Sequence, residues 1–325
     1  NEVDLYYALQ LEYNMMQRST NMLNGRAWYL TKVAEERTGV NPWKYYGHAA
    51  YEQIKAAEAN GTLHAGTNYL GDAHHFLDPG FKFGAKYKID GRNNIKVNAL
   101  AETRTPYARD AYISQRVHDR VVDNIYTHDN AQNLKEFYAA SEKVASVDLT
   151  YEFNYPIVRG RLTGFFTQSW NGTELNGYYD DEARTFVNQA MTGIDKRHMG
   201  IEAAVAVKLG TYFTLTGVAS IGDYRYTSDA IAISSAENGM PMTQDLVTKE
   251  LVFETRDKVL LNGLKLATGP QANASLKLSF FHPKMWFADV TVSYHDWNYL
   301  SVAPSRRMQG LYTGMRLDGT AVNGW

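Results

Sequence analysis

Imidazole and carboxylate groups bind transition metals well. The segment "GDAHHFLDPG" at 71–80 gathers Asp72, His74, His75 and Asp78. Contact with a metal or a metal chelate is one reading of it. The plainer reading is a polar loop, where adjacent histidines are common. "YYDDEAR" at 178–184 sets Asp180, Asp181 and Glu182 beside Arg184. A calcium site needs roughly six to eight oxygens, and this run offers only some of them, so a solvated hairpin tip is the simpler assignment. "NPWKYYGH" carries Trp43, Tyr45 and Tyr46. These rings can stack on a sugar or a chelate, or pack the segment onto its neighbours. "PSRR" ends in Arg306 and Arg307, which suit an anionic ligand, lipid phosphates, or a basic rim. Trp43, Tyr45, Tyr46, His74, His75, Arg306 and Arg307 are therefore the substrate-binding candidates, and metal binding is left open.

Covalent chemistry finds little support. The chain has no cysteine, which removes disulfides, thiolate metal sites and cysteine nucleophiles. It has no G-x-S-x-G, no H-E-x-x-H, no Walker loop and no dinucleotide fingerprint. The reading is a protein that is not an enzyme and carries no cofactor. A formal net charge of −2 over 325 residues gives no basic footprint for nucleic acid.

The elements that must position these groups show a strict period of two. In "FKFGAKYKIDGRNNIKVNALAETR" at 81–104, Phe81, Phe83, Ala85, Tyr87 and Ile89 alternate with Lys82, Lys86, Lys88 and Asp90. After the turn residues "DGRNN", Ile95, Val97, Ala99 and Ala101 alternate with Lys96, Asn98, Glu102 and Arg104. That is a β-hairpin with two different environments on its two faces. The same alternation recurs along the chain. It predicts nine strands, at 3–17, 81–89, 95–104, 143–155, 158–170, 196–209, 212–226, 271–281 and 285–297. A further pair around 173–191 would extend the middle hairpin, and 308–315, "MQGLYTGM", is a weak tenth candidate. Short turns at 90–94, 155–157, 210–211 and 282–284 alternate with long segments at 18–80, 105–142, 171–195 and 227–270. In the first long segment, Asn41, Pro42 and Asn60-Gly61 predict a helix.

Mean hydropathy is −0.42 and no apolar run is long enough for a membrane helix. A membrane barrel remains open, because its strands are short and only half apolar. The heavy aromatic load suits a soluble core or membrane girdles alike, but strands longer than the usual ~5–6 residues and long loops all at one end point to that class: an all-β, antiparallel transmembrane barrel. A soluble barrel with a charged exterior fits the alternation alone nearly as well. In the membrane reading, Glu12, Lys86, Glu102, Asp148, Glu152, Arg161, Glu202 and Asp289 face a wet lumen. The chain enters a strand almost at Asn1, which does not look like a natural start, and nine is an odd count for a closed single-chain barrel. The expectation is a piece of a larger barrel.

Four blocks resemble the barrel of TonB-dependent outer-membrane receptors of the Bacteroidetes type. They are "KFGAKYKIDGRNNIKVNALAETRTPYARDAYIS", "SEKVASVDLTYEFNYPIVRGRLTGFFTQ", "GYYDDEARTFVNQAMTGIDKRHMGIEAAVAVKL" and "SLKLSFFHPKMWFADVTVSYHDWNYLSVAPSRR". The resemblance implies a 22-stranded barrel in the outer membrane of a Gram-negative cell, closed by a plug. It implies energised import of an iron chelate, cobalamin, a glycan or a peptide. The partners it implies are the TonB system, outer-membrane lipids and, in this group, a surface lipoprotein. Residues 1–325 would be part of the barrel domain. Plug, TonB-pairing segment and closing strands are absent from these residues, so transport is implied for the parent protein. A passive porin-like channel is the alternative, and a barrel enzyme with a serine, a histidine and an acid at its rim is a more distant one.

Overall fold

The computed structural model of the chain describes residues 2–17, 73–112, 140–181, 184–236 and 254–316, with short pieces between and beyond them. Its main element is one antiparallel sheet of eleven strands. These are β1 (Glu2–Met16), β2 (His74–Lys88), β3 (Asn93–Arg104), β4 (Glu142–Asn154), β5 (Val158–Asp180), β6 (Thr185–Leu209), β7 (Phe213–Tyr226), β8 (Ala230–Ala236), β9 (Glu254–Val259), β10 (Ala272–His282) and β11 (Trp286–Asp296). Nine of them follow one another in the order β1 to β7, then β10 and β11, while β8 pairs with the side of β6 and β9 with β8. Three two-stranded pairs lie outside the sheet, among them Ile125–His128 with Leu134–Tyr138 inside the long segment 105–142.

Register shows why the sequence alternates. One residue from each long strand forms a continuous row across the sheet: Val3, Tyr87, Ile95, Tyr151, Leu162, Ala203, Ala219, Ala274 and Tyr294. The next row reads Asp4, Lys86, Lys96, Thr150, Thr163, Glu202, Ser220, Asn273 and His295. Successive side chains point to opposite faces, so one face is mostly apolar and the other mostly polar. Among the described residues nothing covers the apolar face. Even in strands with neighbours on both sides, Leu162, Ile201 and Leu276 are 50%, 53% and 52% exposed. A one-residue slip in any strand would put lysines and glutamates among these side chains, which fixes the register.

The turns at one end are tight. Between β2 and β3 the Asp90 carboxylate accepts the backbone N–H groups of Arg92 (2.7 Å) and Asn93 (2.8 Å). These bonds satisfy donors that the strands cannot reach, and they hold the turn. They also keep the Asp90 carboxyl below the usual carboxylate range, the Arg92 N–H being the larger cause.

At the other end β5 and β6 run on beyond their neighbours. Register shifts interrupt their pairing between Met191 and Lys196. Asn171 and Gly193 take left-handed backbone there, with φ of 63° and 70°. Side-chain bonds hold the irregularity. The Asn171 N–H donates to Asp195 Oδ1 at 2.9 Å, the Asp195 N–H to Ser228 Oγ at 2.8 Å, and Ser228 Oγ to the Gly193 carbonyl at 2.8 Å. A bulge bends and twists a strand, and here it also changes partners. Below it β6 pairs with β7 from Lys196 to Leu209; above it β6 pairs with β8 from Val187 to Thr192.

This upper tier holds the largest buried cluster among the described residues. Met191, Ile194, Ala230, Ala232, Val259 and Leu261 are all nearly or fully buried, with Tyr226, Leu264, Val302 and Met308 packed around them. The segment 308–315 is not a strand. A 3₁₀ turn at Pro304–Arg307 leads into a short helix, α1 (Gly310–Thr313); Met308 makes an isolated strand-type bridge to Val259, and Met315 also takes part in an isolated bridge. The Gly310 N–H donates to Asp257 Oδ2 at 2.9 Å, and a Cβ there would lie 2.6 Å from that oxygen. The segment 227–270, expected to be a loop, contains β8 and β9. The helix expected in the first long segment falls almost wholly outside the described residues. Within it the Asn60 N–H donates to the Ala56 carbonyl at 3.0 Å, which is the bond of one helical turn.

Candidate functional site

All eight polar residues assigned to the inner side lie on one face of the sheet. Glu152 accepts from Lys96 at 2.6 Å, Asp148 from Asn98 at 2.7 Å, and Lys277 pairs with Asp289 at 2.9 Å. Arg161 stands opposite Glu152, and Glu202 opposite Thr163 and Ser220. Lys86 stands opposite Asp4 and Lys96. On the same face the Tyr6 ring lies over Gly84 and donates its hydroxyl to Asn98. A Cβ at position 84 would come within 2.0 Å of that ring, so glycine there lets the ring take this position. Tyr6, Asn98 and Asp148 thus form a connected polar line along the wall.

Among the described residues, three concavities of the polar face stand out. The first lies at the upper ends of β1, β2 and β3, is about 370 Å³, and is lined by Gln10, Glu12, Asn14, Asp78, Glu102 and Thr105 among others. The second, about 360 Å³, lies mid-wall beside Arg161, Glu202, Val218, Ser275 and His295. The third, about 480 Å³, lies at the tight-turn end and carries Arg92, Arg159 and Lys208. Arg92 there stacks over the Tyr155 ring at 5.4 Å.

The upper concavity has the most organised chemistry. Glu12 and Asp78 are cross-strand partners, and Gly80 separates Gln10 from Glu102. With no side chain at position 80, space opens in front of both. Gln10 Nε2 donates to Glu12 at 3.3 Å, and Asn14 Nδ2 donates to Glu12 at 2.9 Å and to Thr105 at 3.1 Å. Thr105 in turn donates its hydroxyl to Asp78 Oδ2. Asp78 is 3% exposed and its Oδ1 is fully covered, while the side chains of Ser141 and Thr103 and the Thr105 N–H also serve its carboxylate. Arg104, the lining cation, is engaged by Glu142 through Nε at 3.1 Å and Nη2 at 2.5 Å. The cavity wall therefore carries three carboxylates with no free cation among the described residues that line it.

The sequence candidates fare unevenly. His74 and His75 are strand residues of β2 rather than loop residues, and neighbours in a strand point to opposite faces. His75 lies on the apolar face, its Nδ1 2.7 Å from the Tyr13 hydroxyl. His74 and Asp78 share the polar face but are separated by four residues, about 13 Å of extended chain. Among the described residues no group of three or more histidine, aspartate or glutamate side chains could hold a metal ion. Asp72, Glu182, Trp43, Tyr45 and Tyr46 lie outside the described residues. Arg306 and Arg307 are exposed on the 3₁₀ turn, which is tied to the upper tier by the Leu260 N–H to the Arg307 carbonyl at 3.0 Å. In sheet order they lie at the opposite end from β1–β3. Gln10, Asn14 and Thr105 were not singled out from sequence. The available signal was parity: Gln10 and Asn14 flank Glu12 two residues away on the same face.

The fold is thus a two-faced antiparallel wall with an uncovered apolar side. No family model and no curated protein matches the chain. Among solved structures it is similar to the closed form of Fiu, the ferric-catecholate import receptor of Escherichia coli K12. That match has 14% identity and a TM-score of 0.32, over 67% of this chain and 31% of the receptor. Likeness at this level does not establish family membership.

Proposed function

We propose that this sheet is part of the wall of an outer-membrane β-barrel that imports a scarce nutrient with energy delivered through TonB. The observation that carries the reading is the pair of adjacent rows, nine apolar or tyrosine side chains beside nine polar ones, with the apolar row uncovered. Lipid covers such a face without any further protein layer, and alternation of lipid-facing and lumen-facing residues is the pattern of membrane barrels. Within lipid every backbone group must be bonded. β1 and β11 each have one neighbour in the sheet, so this reading places further strands beside both, in a wider closed barrel. The four sequence blocks that resemble TonB-dependent receptors support energised import over passive diffusion. The substrate belongs to the family's range of iron chelates, cobalamin, glycans and peptides.

Two measurements test the proposal together. Uptake of labelled nutrients is followed in cells with and without a working TonB, and leakage of small solutes is followed through the protein reconstituted in vesicles. Uptake that requires TonB, with tight vesicles, is the expected outcome. Leakage of small solutes with no need for TonB would replace the receptor reading with a passive channel.

A further inference from the structure

We propose that a basic cluster at the upper edge of the apolar face, Arg197, Arg225 and Lys265 around Asp223, binds the phosphate headgroup of an anionic membrane lipid. The proposal rests on the membrane reading of the wall and names the kind of lipid that this part of it holds. Arg197 and Arg225 are cross-strand partners in β6 and β7, and Lys265 meets Arg225 through an isolated bridge. Asp223 accepts from Arg197 at 3.3 Å, from Arg225 at 2.6 Å and from Lys265 at 2.5 Å. Three cations around one carboxylate leave two positive charges over, and among the described residues no second carboxylate pairs with them. The Asp223 side chain is 17% exposed, against 29%, 34% and 30% for Arg197, Arg225 and Lys265. The carboxylate therefore lies beneath, and the cations stay open to a ligand.

Depth carries the argument. The apolar side chains that share this face of β6 run from Met199 to Leu209. That is about 33 Å along the strand, or about 25 Å along the membrane normal at a tilt of about 40°. It matches the height of the apolar band of a membrane barrel, about 25 Å. Arg197 is the next residue of this face, so the cluster stands where headgroups begin. Aromatic rings mark the same level, as they do at membrane–water interfaces. Lys265 Nζ lies over the Tyr299 ring at 5.9 Å. Trp170 follows Gln168, the β5 partner of Arg197, on the same face. Asp296 of β11 shares this face too, but its carboxylate accepts from the Tyr294 hydroxyl and the Trp297 N–H. Phosphate oxygens suit the guanidinium fork, and basic clusters at a bilayer surface attract anionic lipids. The apolar band directly below receives acyl chains, which a soluble anion lacks.

The probe is dioleoyl phosphatidic acid, titrated into the full-length protein in non-ionic detergent and read as lipid retained in native mass spectra. Dioleoyl phosphatidylcholine, with the same chains and no net charge, is the control. We expect saturable retention of phosphatidic acid well above that of phosphatidylcholine, weakened by added salt. Lys265→Gln removes one charge while Arg197 and Arg225 still hold Asp223, and it should weaken retention about fivefold. Lys86→Gln, on the polar face, should leave it unchanged. Should Lys265→Gln fail to fold, the salt series on the parent protein decides: retention indifferent to salt overturns the proposal. Equal retention of the two lipids, or equal phosphatidic acid affinity in folded Lys265→Gln protein, also overturns it. Displacement of the lipid by inorganic phosphate would assign the cluster to a soluble anion instead. Equal retention of both lipids leaves the lipid-facing wall standing, whereas retention of neither removes the wall as well, and no arm of the test involves TonB.

Discussion

Ala203 and Ala204 are adjacent in β6, identical in type, and on opposite faces. Ala203 lies in the apolar row between Leu162 and Ala219; Ala204 lies between Arg161 and Val218. Arginine at either position has the same strand propensity and the same starting residue, so those contributions cancel. The apolar residues of β6 run from Met199 to Leu209, which sets Ala203 near mid-depth. In a bilayer an arginine there costs about 2–4 kcal/mol. At a position facing water the same change falls within about 0.5 kcal/mol. Arginine at 204 meets water and Arg161, and like charges directly opposite cost up to about 1 kcal/mol. The Ala203→Arg protein should therefore be less stable than the Ala204→Arg protein by about 1–4 kcal/mol. The assay is urea unfolding from lipid vesicles followed by tryptophan fluorescence, comparing midpoints at equal slope. Equal midpoints, or a larger loss at 204, would show that the apolar face does not meet lipid.

Three further outcomes are expected. Gly84→Ala brings a Cβ within 2.0 Å of the Tyr6 ring. It should displace Tyr6 from Asn98 and lower stability by about 1–3 kcal/mol, and truncating Tyr6 in the same protein should recover part of that loss in thermal unfolding. Ile233→Ala removes a fully buried side chain of the upper tier and should cost about 2–5 kcal/mol; hydrogen exchange should quicken in β8 and β9 while β1–β4 keep their protection. Asp229 lies outside the wall, and burial alone would raise its carboxyl pKa. Bonds from the backbone N–H of Asn262 and from Lys258, with the Leu261 N–H, outweigh burial and hold it below 3.8. Its stabilising contribution is complete above the unfolded value, near 3.8, and is lost as pH falls through the lower folded value. Protection of residues 260–263 should drop in acid, and Asp229→Asn should remove that pH dependence.

Alternation in 81–104 fixes two strands and their faces because a period of two admits no other regular structure, and Asp90-Gly91 supplies the turn. Eight polar residues could be assigned to one face from parity alone. Pairing partners are a different matter. The alternation places the start of β2 at 81, just after Pro79 and Gly80. Proline only removes a donor, and above Gly80 β2 has no β3 partner to miss it, so pairing with β1 continues to His74. That extension makes His74 and His75 strand residues on opposite faces rather than neighbours in a loop.

By itself the amino-acid sequence determined the fold class, the nine long strands and the polarity of each face, because these depend on neighbours within a few residues. Tertiary structure alone decided three things. It moved β6 from β7 to β8 at the Gly193–Asp195 bulge. It buried "AIAISSA" on both faces, which erases the alternation that would have revealed a strand. It brought Glu12, Asp78 and Glu102 together from three strands around Gly80. Each arises from contacts between residues far apart in the chain, where no local period records which partners will meet.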